Sequence, residues 1–100
     1  MSILIRNGWV VDGTGNPAQL TNVLIEKDRI ADLGSLPGAR AETTIDASGR
    51  IVCPGLIDCH SHPDWKLFST PDRQSTIRQG VTTEIVGNCG FSMAPLSDIS

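Results

Sequence analysis

Residues 55–65 read GLIDCHSHPDW, and they contain both histidines of the 100-residue chain. A short apolar run leads directly into His60 and His62. A strand with apolar residues on both of its faces is typical of a parallel sheet, in which both faces are buried. Because side chains alternate along a strand, residues 56, 58, 60 and 62 are predicted to share one face. Two imidazoles on one face at the end of a strand can bind one metal ion.

The next segment carries the marks of a helix followed by a second strand. TPDRQSTIRQG (70–80) has Thr70 as a candidate N-cap, Pro71 at the first helical position and Gly80 as a candidate C-terminal cap. VTTEIVGN (81–88) is rich in β-branched residues and predicts a strand. Strand, helix and strand form a βαβ unit, whose two strands should run parallel with a right-handed crossover.

The predicted βαβ unit explains the position of one cysteine. The second strand is followed by GNCG, so its carboxyl end reaches the same edge of the sheet as the two histidines. Active sites of parallel α/β proteins collect at this edge. We therefore expect Cys89 to lie close to His60 and His62.

The first half of the chain has the pattern of a small β-domain. ILIRNGWVV predicts a hairpin that turns at Asn7-Gly8, because this dipeptide suits a type I′ turn. NVLIEKDRIADLG predicts a second hairpin near Lys27-Asp28, and TTIDASGRIVCPG predicts a third strand pair that turns at Ser48-Gly49. The sequence thus predicts a mixed β and α/β fold, with a small β-sandwich portion or a curled sheet over 1–54 and a βαβ unit over 55–100.

Composition and charge narrow the possible partners and location. The formal net charge is −3 and no basic block occurs, so we expect no nucleic-acid partner. The apolar runs are far shorter than the roughly 20 residues of a membrane span, so we expect no membrane partner. Three cysteines, an odd number, argue against a disulfide framework and favour a reducing, cytoplasmic location.

Other interpretations of the histidines and cysteines remain open at this point. His60 and His62 could be ordinary strand-end residues that hydrogen-bond to backbone or water. A structural zinc site made by Cys59, His60, His62 and Cys89 is a further alternative. Strand alternation counts against it, because Cys59 should face away from His60. Cys53 and Cys59 are predicted to be buried apolar residues, as free cysteines usually are.

Three segments resemble a known family. VVDGTGNPAQLTNVLIEKDRIADLG, IDASGRIVCPGLIDCHSHPDW and QGVTTEIVGNCGFSMAP are similar to the amino-terminal portion of the amidohydrolase superfamily, and within it to the D-aminoacylases, or N-acyl-D-amino-acid deacylases. The pattern PG-x-ID-x-H-x-H is common to the superfamily. GVTT followed by GNCG is far more specific to the D-aminoacylases, and its cysteine is the discriminating residue.

The resemblance implies a fold, a metal site and its ligands. It implies a small β-domain beside a TIM-like (β/α)8 barrel that binds one or two Zn²⁺ ions. His60 and His62 match the ligands on the first barrel strand, and Cys89 matches the zinc-binding cysteine on the second. Asp58 is a candidate for orienting a ligand, with a structural hydrogen bond as the alternative. Asp64 is a candidate contact to substrate or metal, with a loop hydrogen bond as the alternative.

The resemblance also implies a reaction, the hydrolysis of N-acyl-D-amino acids to a carboxylate and a D-amino acid. Further ligands and a catalytic aspartate are expected beyond residue 100, because a complete barrel needs about 250 residues. We therefore expect the chain to be the amino-terminal part of a longer enzyme and to be inactive by itself. The alternatives are a cyclic-amide hydrolase like the dihydroorotases and hydantoinases, which GNCG disfavours, or a non-catalytic β-module.

Overall fold

A computed structural model describes residues 1–63, 74–90 and 92, and most of its regular structure is strand. The chain divides into two compact units, Met1–Pro54 and Gly55–Ser100. In the described part, the first unit contains a five-stranded sheet and the second a two-stranded sheet with one helical turn. The elements, in chain order, are β1 (Ser2–Val10), β2 (Gln19–Glu26), β3 (Arg29–Gly34), β4 (Thr43–Asp46), β5 (Ile51–Val52), β6 (Leu56–Asp58), α1 (Gln74–Ile77) and β7 (Val81–Glu84).

The hairpin expected at Asn7-Gly8 is wrong, because β1 continues through this dipeptide. β1 pairs antiparallel with β2, and the register shift between Ile5 and Gly8 puts one extra residue on β1. Asn7 takes a left-handed φ of 62°, and its N–H donates to the Asn22 side chain at 2.9 Å. The left-handed residue that suits a turn thus forms a β-bulge, because strands pair with β1 on both sides.

The third strand pair is also wrong, although its turn is correct. β4 and β5 do not fold back on one another; both pair parallel with the same edge of β1. The turn between them contains Gly49 at a φ of 72°. Asp46 accepts bonds from the hydroxyl of Ser48 (2.5 Å) and from its backbone N–H (3.1 Å), and these bonds lower the pKa of Asp46 from its ordinary value. The turn therefore carries the chain past the bulge of β1 without reversing it, so that β5 continues in the direction of β4.

The second hairpin is confirmed. β2 and β3 pair antiparallel across a two-residue turn, in which Lys27 has a φ of 56°. The core of the sheet is small and includes Leu4, Val23 and Ala47, all nearly inaccessible to solvent. Within residues 1–54 these strands form a single sheet, so the second layer of a sandwich stays a prediction.

The second unit has the strand–helix–strand order that the sequence predicts. β6 pairs parallel with β7, and the backbone N–H of Leu56 donates to the carbonyl of Gly80 at 2.9 Å. Gly80 ends the helical segment at a φ of 88°, as expected for a C-terminal cap. The predicted start of the helix at Thr70 and Pro71 lies outside the described residues. No helix in the described part of the chain is long and apolar enough to cross a membrane.

The strands of the second unit are shorter and more exposed than expected. The predicted strand over residues 56–62 ends at Asp58. Burial on both faces is also not found, since Leu56 and Ile57 are 54% and 61% exposed. Among the described strands β6 has β7 as its one neighbour, and a two-stranded sheet by itself buries neither face of its strands.

Gly55 permits the close approach of β6 and β7. A Cβ atom at this position would overlap the side chain of Thr82 on β7. We expect Gly55→Ala to force the two strands apart and to lower the stability of this unit by about 1–3 kcal/mol. The measurement is the thermal unfolding midpoint of the complete protein that contains this chain. Adding Thr82→Gly to Gly55→Ala should recover most of the lost stability. An equal loss in the Gly55→Ala variant and in the double variant would contradict the explanation.

Candidate metal centre

His60 and His62 lie in the loop that follows β6. The carboxylate of Asp58, the last residue of the strand, accepts a hydrogen bond from the backbone N–H of His60 at 3.1 Å, which makes an Asx turn. The two imidazole rings are 5.2 Å apart between centroids and nearly perpendicular, at 83°. The histidines are therefore brought together by a turn after the strand, and not by the alternation of a strand that continues to residue 62.

Cys89 lies in the loop that follows β7, in an unusual backbone conformation. Its φ is 58°, and the flanking glycines Gly87 and Gly90 have φ values of 85° and 76°. A left-handed conformation costs a residue other than glycine about 1–2 kcal/mol. The two glycines adopt it without this cost, since they have no Cβ atom. GNCG therefore forms a tight left-handed loop that exposes the thiol.

The three side chains converge on one point. The ligand atoms of His60, His62 and Cys89 all lie within 4.8 Å of one another. The Nε2 atom of His60 is 3.3 Å from the Sγ atom of Cys89. A tetrahedral zinc ion with ordinary bond lengths separates such donors by roughly 3.3–3.6 Å. The donor set and its spacing thus fit a zinc ion after small side-chain rotations.

Several hydrogen bonds join the two loops that carry these side chains. The backbone of Ile85 donates to the carbonyl of Asp58 at 2.8 Å and accepts from the N–H of Ser61 at 3.4 Å. The hydroxyl of Ser61 donates to Glu84 at 3.3 Å. The side-chain amide of Asn88 donates to the carbonyls of Ile85 (3.0 Å) and Ser61 (3.5 Å). Sequence reasoning did not identify these residues; the available signals were the positions of Ser61 between the histidines and of Asn88 next to Cys89.

The other candidate residues have different outcomes. Among the described residues, one group of three possible metal ligands is found. Cys59 is not part of this group. The prediction that Cys53 and Cys59 are buried is wrong, because both thiols are exposed. Cys59 directly follows β6, which has a single neighbour among the described strands. Asp64 lies outside the described residues.

The fold and the cluster together define a class of protein. Two adjacent parallel strands are each followed by a loop that carries histidine or cysteine side chains able to bind a metal, an arrangement typical of metal-binding α/β proteins. The model of the amidohydrolase family matches residues 43–96, and the chain belongs to this family.

Named relatives agree with the resemblance to D-aminoacylases. The chain is 44% identical over 95 residues to N-acyl-D-glutamate deacylase, and 43% identical over 95 residues to D-aminoacylase, both from Alcaligenes xylosoxydans xylosoxydans. These matches cover 95% of this chain and 20% of each relative. The crystal structure of N-acyl-D-glutamate deacylase from Bordetella bronchiseptica, in complex with zinc and a phosphonate inhibitor, is similar with a TM-score of 0.88 and 44% identity. That match covers 93% of this chain and 20% of the solved chain, so the chain spans about a fifth of its relatives' length.

The Asx turn of Asp58 generates a prediction about metal binding. Asp58→Ala removes the acceptor that holds the His60 backbone, so we expect the affinity for Zn²⁺ to fall about 10-fold, as for other residues that orient ligands. Asp58→Asn keeps an acceptor oxygen and should fall less. The affinity is measured in the complete protein by competition with a chelator. An equal loss in both variants would show that the charge of Asp58, and not the turn, supports the site.

Proposed function

We propose that these 100 residues belong to a zinc-dependent amidohydrolase that hydrolyses the amide bond of N-acyl-D-amino acids, releasing a carboxylate and a D-amino acid. The observation that carries the proposal is the convergence of His60, His62 and Cys89 within 4.8 Å. It is supported by 44% identity to a deacylase of this substrate class over almost the whole chain. In this proposal the small β-unit accompanies a TIM-like (β/α)8 barrel, and the second unit is the first part of that barrel.

Cys59 is the fourth ligand that a structural zinc site in this segment would need, and it lies outside the cluster of His60, His62 and Cys89. Structural zinc sites use four protein ligands, whereas catalytic sites leave a position open for water or substrate. A catalytic site is therefore the proposal, and its remaining ligands are assigned beyond residue 100, as the family resemblance implies. Zinc, when bound, supplies a Lewis acid that polarises an amide carbonyl and makes a water molecule more acidic.

The residues of this chain hold and orient the ion in the proposed reaction. His60 and His62 bind through ring nitrogens, and Cys89 binds through its deprotonated sulfur. All three side chains are exposed in this chain. Proton transfer to the leaving nitrogen is assigned to an acidic residue beyond position 100, as the family resemblance implies. The proposal is that one or two zinc ions bind, and metal analysis of the complete protein measures their number.

The substrate and the location are proposals of the same kind. A small-molecule N-acyl-D-amino acid is the proposed substrate, and hydrolysis of a cyclic amide is the alternative. The two are distinguished by assaying the complete protein with N-acetyl-D-amino acids and with dihydroorotate and hydantoins. The cytoplasm is the proposed location, because all three cysteines are free and exposed thiols, which a reducing compartment maintains.

The three cysteines allow a direct test of the proposed ligand set. Cys89→Ala in the complete protein should remove tightly bound zinc and abolish deacylase activity, since a catalytic site rarely tolerates the loss of a thiolate ligand. Cys53→Ala and Cys59→Ala are matched controls, because both replace an exposed free thiol outside the ligand cluster. Both controls should keep wild-type zinc content and activity. The measurements are metal content per chain and the rate of D-amino acid release.

Two results would contradict the proposed ligand set. Full zinc occupancy in the Cys89→Ala protein would show that this sulfur does not bind the ion. Loss of zinc in the folded Cys59→Ala protein would show that the neighbouring sulfur does. Circular dichroism of each variant separates loss of metal from loss of fold.

The proposal also predicts the behaviour of the 100-residue chain when it is produced alone. We expect no deacylase activity above that of zinc in buffer, because the proposed proton-transfer residue and most of the barrel are assigned to the rest of the protein. The assay measures D-amino acid release from N-acetyl-D-glutamate at several zinc concentrations. Turnover that depends on Cys89 in this short chain would contradict the assignment of the catalytic acid beyond residue 100.

A further inference from the structure

We propose that Asn88 is a positioning residue that sets the distance between the thiol of Cys89 and the two histidines. The proposal rests on the proposed metal site and adds to it a residue that does not touch the metal. Asn88 precedes Cys89 directly, and its side chain reaches the loop that carries the histidines. Its role would be to make the three ligand atoms converge before an ion binds.

The hydrogen bonds of Asn88 join the two ligand-bearing loops. Its side-chain nitrogen donates to the carbonyl of Ile85 at 3.0 Å, within its own loop. The same nitrogen donates to the carbonyl of Ser61 at 3.5 Å, and this bond is partly buried. Ser61 stands between His60 and His62, so this long bond connects Asn88 to the middle of the histidine pair. One amide group therefore contacts the backbone of both loops.

The backbone of the GNCG loop has little conformational restraint of its own, so a hydrogen bond from Asn88 to the other loop is needed to restrain it. Gly87 and Gly90 have positive φ values, and glycine is the residue that restricts its backbone least. Cys89 itself has a φ of 58°, a conformation that a cysteine rarely adopts without support from its surroundings. A loop with two glycines and one strained residue has many alternative conformations. The amide of Asn88 favours those that place the Cys89 sulfur beside His60, where it lies at 3.3 Å from Nε2.

Ser61 makes two further hydrogen bonds, so its position is restrained independently of Asn88. Its N–H donates to the carbonyl of Ile85 at 3.4 Å, and its hydroxyl donates to Glu84 at 3.3 Å. The chain between the histidines is therefore fixed against the end of β7. A bond from Asn88 to this fixed point restrains the cysteine loop more than the histidine loop.

Binding of Co²⁺ to the complete, metal-free protein tests the proposal, because a cobalt–thiolate bond has its own charge-transfer absorption. Asn88→Leu keeps nearly the same side-chain volume but cannot donate a hydrogen bond. We expect its affinity for Co²⁺ to fall about 10- to 100-fold, the usual effect of losing a residue that orients ligands. The charge-transfer absorption at saturation should also weaken, because the sulfur is the displaced ligand. Asn88→Gln keeps the amide donor and should recover part of both losses.

Gln79→Met is the matched control. Gln79 also donates a side-chain amide bond to a backbone carbonyl, that of Ser75 at 2.9 Å, but within the helical segment. This control should bind Co²⁺ as the wild type does. Asn88→Leu with the affinity and absorption of the control would overturn the positioning role, as would an Asn88→Gln protein no better than Asn88→Leu. Wild-type protein without cobalt–thiolate absorption would overturn the proposed metal site itself, and with it this inference. Thermal unfolding of each variant identifies any general loss of fold.

Discussion

The parallel pairing of β6 with β7 is the constraint on which the site depends. His60 and Cys89 are 29 positions apart in the chain, yet their side chains are 3.3 Å apart. Parallel strands end at the same edge of a sheet, so two loops that follow them are neighbours. Gly55 allows this pairing at its start, since any larger residue would meet the side chain of Thr82. The proximity of Cys89 to the histidines is thus a consequence of strand pairing.

In the second unit the proposed metal ligands lie in loops, and the paired strands β6 and β7 support these loops. The ladder extends one step beyond the strands through the bond from Ile85 to the carbonyl of Asp58 at 2.8 Å. Beyond that step, the Asx turn of Asp58 directs the histidine loop, and left-handed residues direct the cysteine loop. Loops supported by a rigid scaffold are where binding residues of proteins concentrate. The strain at Cys89 is therefore found where a metal ligand is proposed, and the energy of ion binding would offset it.

The first unit shows how far local patterns reach. Asn7-Gly8 and Lys27-Asp28 both contain a residue with a left-handed φ, which the sequence suggested for the first pair. The second pair closes a hairpin, but the first forms a bulge in a strand that continues. Ser48-Gly49 likewise turns the chain without reversing it, so β4 and β5 both run parallel to β1. A dipeptide determines which φ angles are favourable, whereas the strands available for pairing determine where the chain goes next.

The sequence by itself determined the residue types and order of the proposed site. H-x-H, the strand–helix–strand order and the cysteine of GNCG were evident without a structure, because residue order and backbone propensities are local properties. Only the tertiary structure decided that β6 ends at Asp58, that the histidines meet in a turn, and that Asn88 reaches across to Ser61. It also decided that β1 is paired on both sides. These features depend on contacts between distant parts of the chain, whose partners no local pattern specifies.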